Sequence, residues 1–555
     1  MLEHGLGSSQ FLLGLRCLGL VAVCYVSFKL YQQITLTYRA RKNPHFKQLP
    51  SSPRHWFWGN LINDGQKIAP TTNRHPDYGF EEIYHTLEEP PVFMVDLLPI
   101  SFSLLVVADP RVAEQLTEPC KEYKYSVPKS DTIRSLWPLM GKESIVTAEG
   151  ETWRALRRRF NKGFAPQHLH SLTPLVVQKM SVFVSRLKDR AKTGDAFTLL
   201  NLAMDLTTDI VTELAMGYDL QAQSTANGEK EKATLGILTA SRSLTPLIFK
   251  MGQGIGFHNI DPIRPIKSWF WETVFDWKLS KIISRQLKGQ SEGAEGKAAS
   301  RAITTLAAEE MAVDSALIQT TVSQVKTFLF AGQDTTASTL SWIVYELSKA
   351  SHDANNAAIK EELIAEHNSV FGPELFSALD VLAIPGQAET ILDKLPYTNA
   401  YVKEVLRIHP PSGSARMIPE VSSSTPEFRI KFNDKSVAIN GMRIYIDQWL
   451  IHRNKAIWGE DALVFKPERW LNKAYVERLP AGAWRPFERG PRNCIGQTLA
   501  LMEAVIMCCA VARGLEFEKV GLTGRNGEEE VWAGHRVTSV PIDGMNVRIK
   551  LQNED

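Results

Sequence analysis

Paired cysteines are missing from this sequence. Its 555 residues contain six cysteines, and neither a metal-binding spacing nor a regular disulfide framework connects them. They are Cys17, Cys24, Cys120, Cys494, Cys508 and Cys509. The spacing argues against a disulfide-stapled secreted scaffold and favours a reducing compartment.

An excess of either charge is also absent. The 63 lysine and arginine residues nearly balance the 61 aspartate and glutamate residues, for a formal net charge of +2. This balance argues against a dedicated nucleic-acid binder, so no nucleic acid is predicted as a partner. The sequence further lacks a G-x-G-x-x-G unit between a strand and a helix, so we predict no nicotinamide site in this chain.

One hydrophobic run stands near the start of the chain. Residues 11–28 are mostly apolar, at the short end of what spans a bilayer core of about 30 Å. Arg16 lies near one end of the run, from which its side chain can reach the headgroups. A cleaved signal peptide is the alternative, but residues 1–10 carry Glu3 and no lysine or arginine. We therefore predict a retained membrane anchor.

Basic residues follow this run. Five lysines and arginines between positions 29 and 47 place the rest of the chain in the cytosol by the positive-inside rule. The segment Leu49-Pro50-Ser51-Ser52-Pro53 has the composition of a stiff, polar connection. We predict a luminal N-terminus at residues 1–10, a transmembrane anchor at 11–28, a basic and proline-containing hinge at 29–53, and a catalytic domain at 54–555.

A single cysteine lies in a loop rich in glycine and arginine. The segment from Phe487 to Gly496 reads F-E-R-G-P-R-N-C-I-G, and the residues after it favour a helix, which places Cys494 at the positive helix end. That position stabilises a thiolate, and a thiolate is a strong axial ligand for haem iron. On the cysteine alone, a buried structural thiol is the alternative.

The neighbours of Cys494 suit haem binding. Gly490 and Gly496 allow a tight turn close to a flat macrocycle, and Arg492 can grip a haem carboxylate. The pattern F-x-x-G-x-R-x-C-x-G, with Phe487 as its first residue, resembles the haem-binding signature of the cytochrome P450 family. This resemblance implies haem b, iron protoporphyrin IX, with Cys494 as the axial ligand of the iron.

A tryptophan and an arginine share one face of a predicted helix upstream. Trp153 and Arg157 are four residues apart, so both can donate to one anionic group. They resemble the family's W-x-x-x-R element, which holds a haem propionate. The alternative is a solvated basic helix with a core tryptophan. The arginines at 154, 158 and 159 form a candidate docking face for an acidic redox partner.

A long helix is predicted from Asp314 to Leu347, because proline is absent there and apolar residues recur at helical spacing. In its middle, Ala331-Gly332-Gln333-Asp334-Thr335-Thr336 resembles the family's A-G-x-D-T-T oxygen-activation motif. Thr335 is then predicted to donate a hydrogen bond to the distal oxygen and Asp334 to relay protons. Gly332 either makes room for oxygen and substrate or marks close packing of two helices.

Three charged residues are predicted to support the haem pocket. Glu404 and Arg407 form an E-x-x-R pair, and the family pairs such a motif with an arginine of a P-E-R-F-like segment, here Arg469. Trp470 stands where phenylalanine is frequent. The segment Pro410 to Arg416 resembles the one that passes beside the haem, which makes Arg416 another predicted propionate partner.

Two further predictions concern loops. Asn440-Gly441 is a strong two-residue turn signal, so residues 437–446 are predicted to form a hairpin. Residues 531–540 are predicted, from the resemblance alone, to reach back into the pocket.

The resemblance implies a cytochrome P450 fold, mainly α-helical with a small β-rich lobe (α+β). It implies a haem-thiolate monooxygenase in the endoplasmic reticulum membrane, single-pass with its catalytic domain cytosolic. Electrons would come from an NADPH-dependent cytochrome P450 reductase, with cytochrome b5 as a second donor. The style of the sequence resembles fungal enzymes that tailor lipophilic secondary metabolites. A haem-thiolate isomerase or dehydratase, a general lipid or xenobiotic hydroxylase, and a non-catalytic haem protein are the alternatives.

Overall fold

The computed structural model is mainly helical, with several small sheets. It describes residues 47–68, 74–224, 232–252, 263–289, 301–309, 311–423, 425–523, 530–535 and 538–552, together with scattered positions between 19 and 41 and at 298 and 300. The predicted α+β class is confirmed for these parts of the chain.

The first half of the chain is mostly helical. Its helices are α1 (Leu61–Ile68), α2 (Pro76–Thr86), α3 (Pro110–Thr117), α4 (Trp137–Met140), α5 (Gly150–Asn161), α6 (Pro166–Ser171), α7 (Thr173–Thr193), α8 (Leu199–Met216), α9 (Lys232–Gly252), α10 (Arg264–Leu287) and α11 (Ile303–Ala308).

The second half begins with the longest helix. Its helices are α12 (Ser315–Ser348), α13 (Ala354–Phe371), α14 (Ser377–Leu382), α15 (Ala388–Leu392), α16 (Pro396–Ile408), α17 (Gln448–Arg453), α18 (Lys455–Trp458), α19 (Lys473–Arg478) and α20 (Gln497–Val511). A short 3₁₀ helix spans Pro467–Trp470.

The strands pair into small sheets. They are β1 (Val92–Asp96), β2 (Ser103–Val107), β3 (Phe197–Thr198), β4 (Ser414–Met417), β5 (Arg429–Phe432), β6 (Lys435–Ala438), β7 (Arg443–Ile446), β8 (Leu515–Lys519), β9 (Ala533–His535), β10 (Ser539–Pro541) and β11 (Asn546–Leu551). One sheet has the order β1-β2-β7-β4, another β3-β11-β8, and two hairpins are β5-β6 and β9-β10. In the first sheet only β2 and β7 run parallel.

The long helix α12 runs through the main hydrophobic core. The predicted helix from Asp314 to Leu347 is confirmed almost to the residue, and Asp314 caps it by accepting a hydrogen bond from the backbone N–H of Leu317 at 2.7 Å. Helix α8 packs along α12. The apolar stripe of α8 that recurs every four residues from Leu202 to Leu214 is buried, as such spacing predicts.

The predicted hairpin over residues 437–446 is wrong. The residues before Asn440 belong to β6, which pairs with β5, whereas those after Gly441 belong to β7 in the four-stranded sheet. The actual hairpin turns at Asn433-Asp434, where both residues have positive φ. Asn and Asp tolerate that conformation, so this turn carried a comparable signal.

The end of the predicted hinge packs onto the body of the protein. Leu49 is buried in the cluster that contains Val92 and Met94, and the carbonyl of Pro50 accepts a hydrogen bond from Met94 N–H at 2.8 Å. Upstream, Arg41 Nε pairs with the buried carboxylate of Asp96 at 3.0 Å. The packed body therefore begins before residue 54.

The predicted anchor falls mostly outside the described residues. Among the residues that the structure describes, no helix is both long enough and apolar enough to cross a membrane.

Candidate functional site

The loop around Cys494 is a tight turn that leads into α20. The backbone N–H of Cys494 donates to the carbonyl of Phe487 at 2.8 Å, and Asn493 N–H donates to the carbonyl of Gly490 at 3.1 Å. Gly496 is the N-cap of α20. The predicted place of Cys494 at the start of a helix is therefore what the structure shows.

The two glycines of this loop have different reasons to be there. Gly490 has a φ of +73°, and a Cβ on it would lie 2.1 Å from the carbonyl oxygen of Thr117. The neighbour that this glycine admits is the backbone after α3, and its predicted approach to a macrocycle stays a prediction. A Cβ on Gly496 would meet Cys494 Sγ at 3.9 Å, so Gly496 does leave space beside the sulfur.

The sulfur of Cys494 is accessible, although protein surrounds it on other sides. Its side chain is exposed, yet burial by surrounding protein raises the pKa of the thiol. The N–H of Gly496 and the positive charge of Arg157 act in the opposite direction without reversing that shift. An accessible sulfur within a desolvating shell is suited to a buried metal, because coordination itself deprotonates a thiol.

Helix α12 is partly exposed at its middle. Residues 330–333 and Thr335 are half-exposed, although the helix is buried on both sides of them. Helices α12 and α20 pack against each other. The partial exposure therefore marks an internal space on the α12 side.

Thr335 and Asp334 point to different neighbours. The Thr335 hydroxyl donates to the carbonyl of Ala331 at 2.7 Å. The buried carboxylate of Asp334 accepts a hydrogen bond from the hydroxyl of Thr538, between β9 and β10. The predicted return of residues 531–540 towards the site is thereby located at Asp334.

Gly332 lies in a helix contact. A Cβ on Gly332 would come 3.1 Å from Cγ2 of Val211 on α8, closer than an ordinary van der Waals contact. Of the two interpretations left open for this glycine, the structure supports close packing of two helices.

Arg416 has unused hydrogen-bond donors in the interior. Its side chain is fully buried, and Nη1 donates to Ser126 Oγ and to the carbonyl of Val127, each at 3.0 Å. Its Nε and Nη2 have no partner among the described residues. Burial lowers the pKa of Arg416 to about 10, so the group remains a cation at neutral pH. Two buried donors on a cation suit a carboxylate ligand.

Lys129 extends this positive region, and sequence reasoning missed it. Its backbone bridges to Arg416, and Nζ lies 3.4 Å from Ser414 Oγ. Burial, with Arg416 and Arg492 nearby, lowers the pKa of Lys129 to about 7. An anion placed among these cations would return the proton to Lys129. No motif marks this lysine, so only its neighbours could reveal it.

The other predicted propionate partners are held by the protein itself. Arg157 donates through both terminal nitrogens to Asn493, to its backbone oxygen at 2.7 Å and to Oδ1 at 2.8 Å. Arg492 binds Glu149 at 2.5 Å and the carbonyl of Ala148 at 2.9 Å. The Arg492 guanidinium also lies 4.8 Å from the centre of the buried Trp153 ring. These residues therefore frame the Cys494 loop, whatever else they bind.

The predicted supporting trio forms a buried ion cluster. Arg407 binds both oxygens of Glu404, with Nε at 2.9 Å and Nη2 at 2.8 Å, and Arg469 Nε adds a contact at 3.0 Å. All three side chains are buried. The indole N–H of Trp470 donates to Glu404 at 2.9 Å. Phenylalanine could not supply that bond, so the departure at Trp470 adds a donor to the cluster.

The candidate docking arginines divide into two groups. Arg154 and Arg158 are exposed. Arg159 instead donates to the carbonyl of Ala307 at 2.9 Å and to Thr321 Oγ1 at 3.2 Å, so it holds α5 against its neighbours. Only the first two remain candidates for a partner surface.

Comparison with known proteins agrees with this arrangement. A family model described as Cytochrome P450 matches residues 49–532. The chain belongs to the cytochrome P450 family. It is similar to cytochrome P450 monooxygenase polC of Polytolypa hystricis, with 27% identity over 94% of this chain and 90% of that one. It is also similar to cytochrome P450 monooxygenase acrF of Aspergillus aculeatus, with 28% identity over 82% of this chain and 89% of that one.

The fold is that of the family as well. The crystal structure of cytochrome P450DA heme domain superposes with a TM-score of 0.68 and 16% identity, over 91% of this chain and 98% of that one. A cytochrome P450 is an oxidoreductase, and its cofactor is haem b. The residues present fit that group, since an accessible sulfur and the unpaired donors of Arg416 suit its iron and its carboxylates.

Proposed function

We propose that this cytochrome P450 is a haem-thiolate monooxygenase that inserts one atom of O2 into a lipophilic substrate. The observation that carries the proposal is the accessible sulfur of Cys494 at the start of α20, a helix that packs against α12, whose middle is partly exposed. When bound, the haem supplies the oxidising power, and the second oxygen atom becomes water.

The residues of the site have separate tasks in this proposal. Cys494 would hold the haem iron through its sulfur. Arg416 and Lys129 would bind the haem carboxylates, and Arg157, Arg492 and Trp153 fix the surrounding loops.

The proton path starts at α12. Thr335 turns its hydroxyl from the carbonyl of Ala331 towards the opening and donates a proton there. Asp334, held beside Thr538, replenishes that proton.

The proposed substrate class and pathway draw on the relatives. Two similar proteins are named cytochrome P450 monooxygenases of fungi, which supports a tailoring step in fungal secondary-metabolite biosynthesis. An oxidised apolar skeleton, such as a polyketide or terpenoid, is the proposed product. A general lipid or xenobiotic hydroxylase is the runner-up within the same chemistry.

The proposed electron donor is a separate NADPH-dependent cytochrome P450 reductase, with cytochrome b5 as an additional donor. The exposed Arg154 and Arg158 on α5 suit an acidic surface of such a partner. The proposed location is the endoplasmic reticulum membrane, with residues 11–28 as a single-pass anchor and the catalytic domain in the cytosol.

The function is tested with full-length protein, reductase, NADPH and isotopically labelled O2. Deletion of the gene in its host and profiling of metabolites identify the accumulated intermediate, which then serves as substrate. We expect one labelled oxygen atom in the product. Product formed without O2 or NADPH would favour a haem-thiolate isomerase or dehydratase, and tight haem binding without turnover would favour a non-catalytic haem protein.

The iron ligand is tested by Cys494→Ser. We expect this variant to lose the thiolate-type spectrum of the reduced carbon monoxide complex. Cys120→Ser is the matched control, because it removes a half-exposed thiol elsewhere and should keep the spectrum. A wild-type spectrum in Cys494→Ser would refute the ligand assignment.

A further inference from the structure

A row of aromatic rings leads away from the Cys494 loop. The ring centres of Phe487 and Trp484 are 6.0 Å apart. Those of Trp484 and Trp470 are 5.8 Å apart, and those of Trp470 and Trp458 are 5.6 Å apart. The ring planes of each pair are inclined by 63° or 67°, close to the edge-to-face contact that aromatic side chains favour. Because the carbonyl of Phe487 accepts the backbone hydrogen bond of Cys494, the row begins in the loop that would hold the haem iron.

The two middle rings of the row are accessible from solvent. Trp484 and Trp470 are half-buried, whereas Trp458 is fully buried. The guanidinium of Arg407 lies 5.0 Å from the centre of the Trp458 ring, and a cation at that distance makes it harder to remove an electron from the ring. No lysine or arginine in the described part of the chain stacks on Trp484 or Trp470 in this way. These two rings are therefore the easier ones of the row to oxidise.

Both rings direct their N–H groups at oxygen atoms. Trp484 donates to the carbonyl of Lys403 at 3.1 Å, and Trp470 donates to the carboxylate of Glu404 at 2.9 Å. An indole that loses an electron becomes a cation with an acidic N–H, which a hydrogen bond to oxygen stabilises. Glu404 also pairs with two arginines, whose charges oppose a cation on Trp470. These opposing charges keep Trp470 from becoming a deep trap, so an electron vacancy can pass between the two rings and be refilled.

We propose that Trp484 and Trp470 conduct oxidising equivalents from the haem site to the surface when hydrogen peroxide reacts there without a substrate. Each peroxide molecule takes up two electrons and two protons and leaves as two molecules of water. Trp484 supplies the electrons one at a time, and Trp470 refills Trp484. A small reductant such as ascorbate gives up one hydrogen atom, an electron with its proton, for each electron moved, and leaves in its one-electron oxidised form. Two hydrogen atoms and one peroxide thus become two waters, and both indoles are restored.

This role gives a chemical reason for an indole at position 470. The ring of phenylalanine, the residue that is frequent there, is much harder to oxidise, so the row would stop at Trp484. The role depends on bound haem but not on the proposed reaction, since no reductase, NADPH or substrate takes part. Its failure would leave the monooxygenase assignment intact.

The first test maps oxidation in the wild-type protein. Peroxide is added to substrate-free holoenzyme, and oxidised tryptophans are located by mass spectrometry of peptides. We expect oxygen adducts at Trp484 and Trp470 to exceed those at Trp56, although Trp56 is 81% exposed. Peroxide that acts directly from solution would give the reverse order. Holoenzyme with imidazole bound to its iron is the matched control and should lose the adducts at Trp484 and Trp470, and ascorbate should suppress them as well.

The second test separates conduction from packing. In samples frozen after peroxide addition, Trp484→Phe should lose the tryptophan radical seen by electron paramagnetic resonance and the adducts at Trp470. With ascorbate present, its haem should bleach severalfold faster than that of the wild type. Trp484→Tyr returns an oxidisable ring, so it should show a tyrosine radical and slow bleaching again. Trp271→Phe, at a half-buried site on α10, is the matched control and should behave like the wild type.

Two results would overturn the proposal. One is a wild-type map in which Trp56 carries more oxygen than Trp484 and Trp470, since exposure alone would then set the order. The other is a radical signal and a bleaching rate in Trp484→Phe that match those of the wild type. The map uses unaltered protein, so it decides the question even if Trp484→Phe fails to bind haem.

Discussion

The hydroxyl of Thr538 donates a hydrogen bond to the carboxylate of Asp334, 204 residues earlier in the chain. One residue further on, the carbonyl of Ser539 accepts a hydrogen bond from the hydroxyl of Ser338 at 2.7 Å, and its N–H donates to Pro411 at 2.8 Å. The β9-β10 hairpin thus joins the middle of α12 to the segment before β4. In the proposed function, this hairpin fixes the residue that replenishes protons.

Thr538→Val should remove the hydrogen bond that positions Asp334 and leave the carboxylate itself in place. We expect more NADPH to end as hydrogen peroxide instead of product, by about two- to tenfold, since a misplaced acid transfers protons less efficiently. Peroxide released per NADPH is the measurement, made with the substrate identified by metabolite profiling. Thr538→Ser keeps the hydroxyl and should restore coupling. Unchanged peroxide in Thr538→Val would remove Thr538 from the positioning of Asp334.

Glu404→Gln should strongly destabilise the body of the protein. It leaves the buried cations of Arg407 and Arg469 without their carboxylate, and breaking a buried ion pair in this way costs about 3 to 5 kcal/mol. A lower urea midpoint and faster haem release measure the effect.

Asp189→Asn provides the control for that experiment. Asp189 pairs with Lys192 at 2.8 Å, but both side chains are about two-thirds exposed. Solvent screening makes such a pair worth little, so its loss should not be detectable. Equal effects of the two substitutions would contradict the central place of Glu404.

Gly332→Ala distinguishes a role of Gly332 in helix packing from a role in leaving room for oxygen and substrate. The added methyl gains about 1 kcal/mol of helix propensity, but overpacking against Val211 costs about 1 to 3 kcal/mol. We therefore expect a net destabilisation of up to about 2 kcal/mol in urea unfolding. The double variant with Val211→Ala relieves the crowding. Its loss of free energy of unfolding should therefore be smaller than the sum of the losses in the two single variants. A single variant that is stabilised but binds its substrate poorly would instead place Gly332 at the cavity.

The buried His409 predicts a loss of stability in mild acid. Burial lowers its pKa to about 4, although a hydrogen bond with Glu346 at 2.8 Å opposes the shift. The unfolded chain takes up the proton near pH 6.5 and the folded chain only near pH 4. The free energy of unfolding should therefore fall as the pH drops through this interval, by up to about 1.4 kcal/mol per unit.

His409→Gln retains a donor for Glu346 but cannot titrate. Urea unfolding at pH 7, 6 and 5 gives the slope of the free energy of unfolding against pH. In this variant the slope should be shallower, by the equivalent of about one proton taken up on unfolding. The buried His367 and His452 have lowered pKa values as well, so part of the dependence should remain. His85→Gln, at an exposed site, is the control. An identical slope in His409→Gln and the wild type would contradict the assignment.

The sequence predicts what depends on fixed local spacing. The Cys494 loop, the Glu404 pair and the long helix behind its Asp314 cap all follow from residues close to each other in the chain. The place of residues 531–540 came only from the resemblance. Nothing local in Thr538 indicates that it meets Asp334.

The predictions fail or stay open where one local sequence pattern is compatible with two structures. Both Asn433-Asp434 and Asn440-Gly441 suit a tight turn, and only the partner strands decide which is a hairpin. A mid-helix glycine fits either a cavity or a crossing, and only Val211 on α8 decides for Gly332. The lowered pKa of Lys129 depends on burial and on Arg416 and Arg492, which lie 287 and 363 residues further along the chain, so local spacing cannot report it.

The burial of Leu49 bears on how the molecule can be shortened. A fragment that starts at residue 54 would uncover the apolar cluster under β1 and leave Met94 N–H without the Pro50 carbonyl. A fragment that starts just after Arg41 would leave the buried carboxylate of Asp96 without the guanidinium of Arg41. Soluble versions suited to crystallisation should therefore be cut ahead of Arg41, and a start chosen at the proline cluster would yield aggregated material.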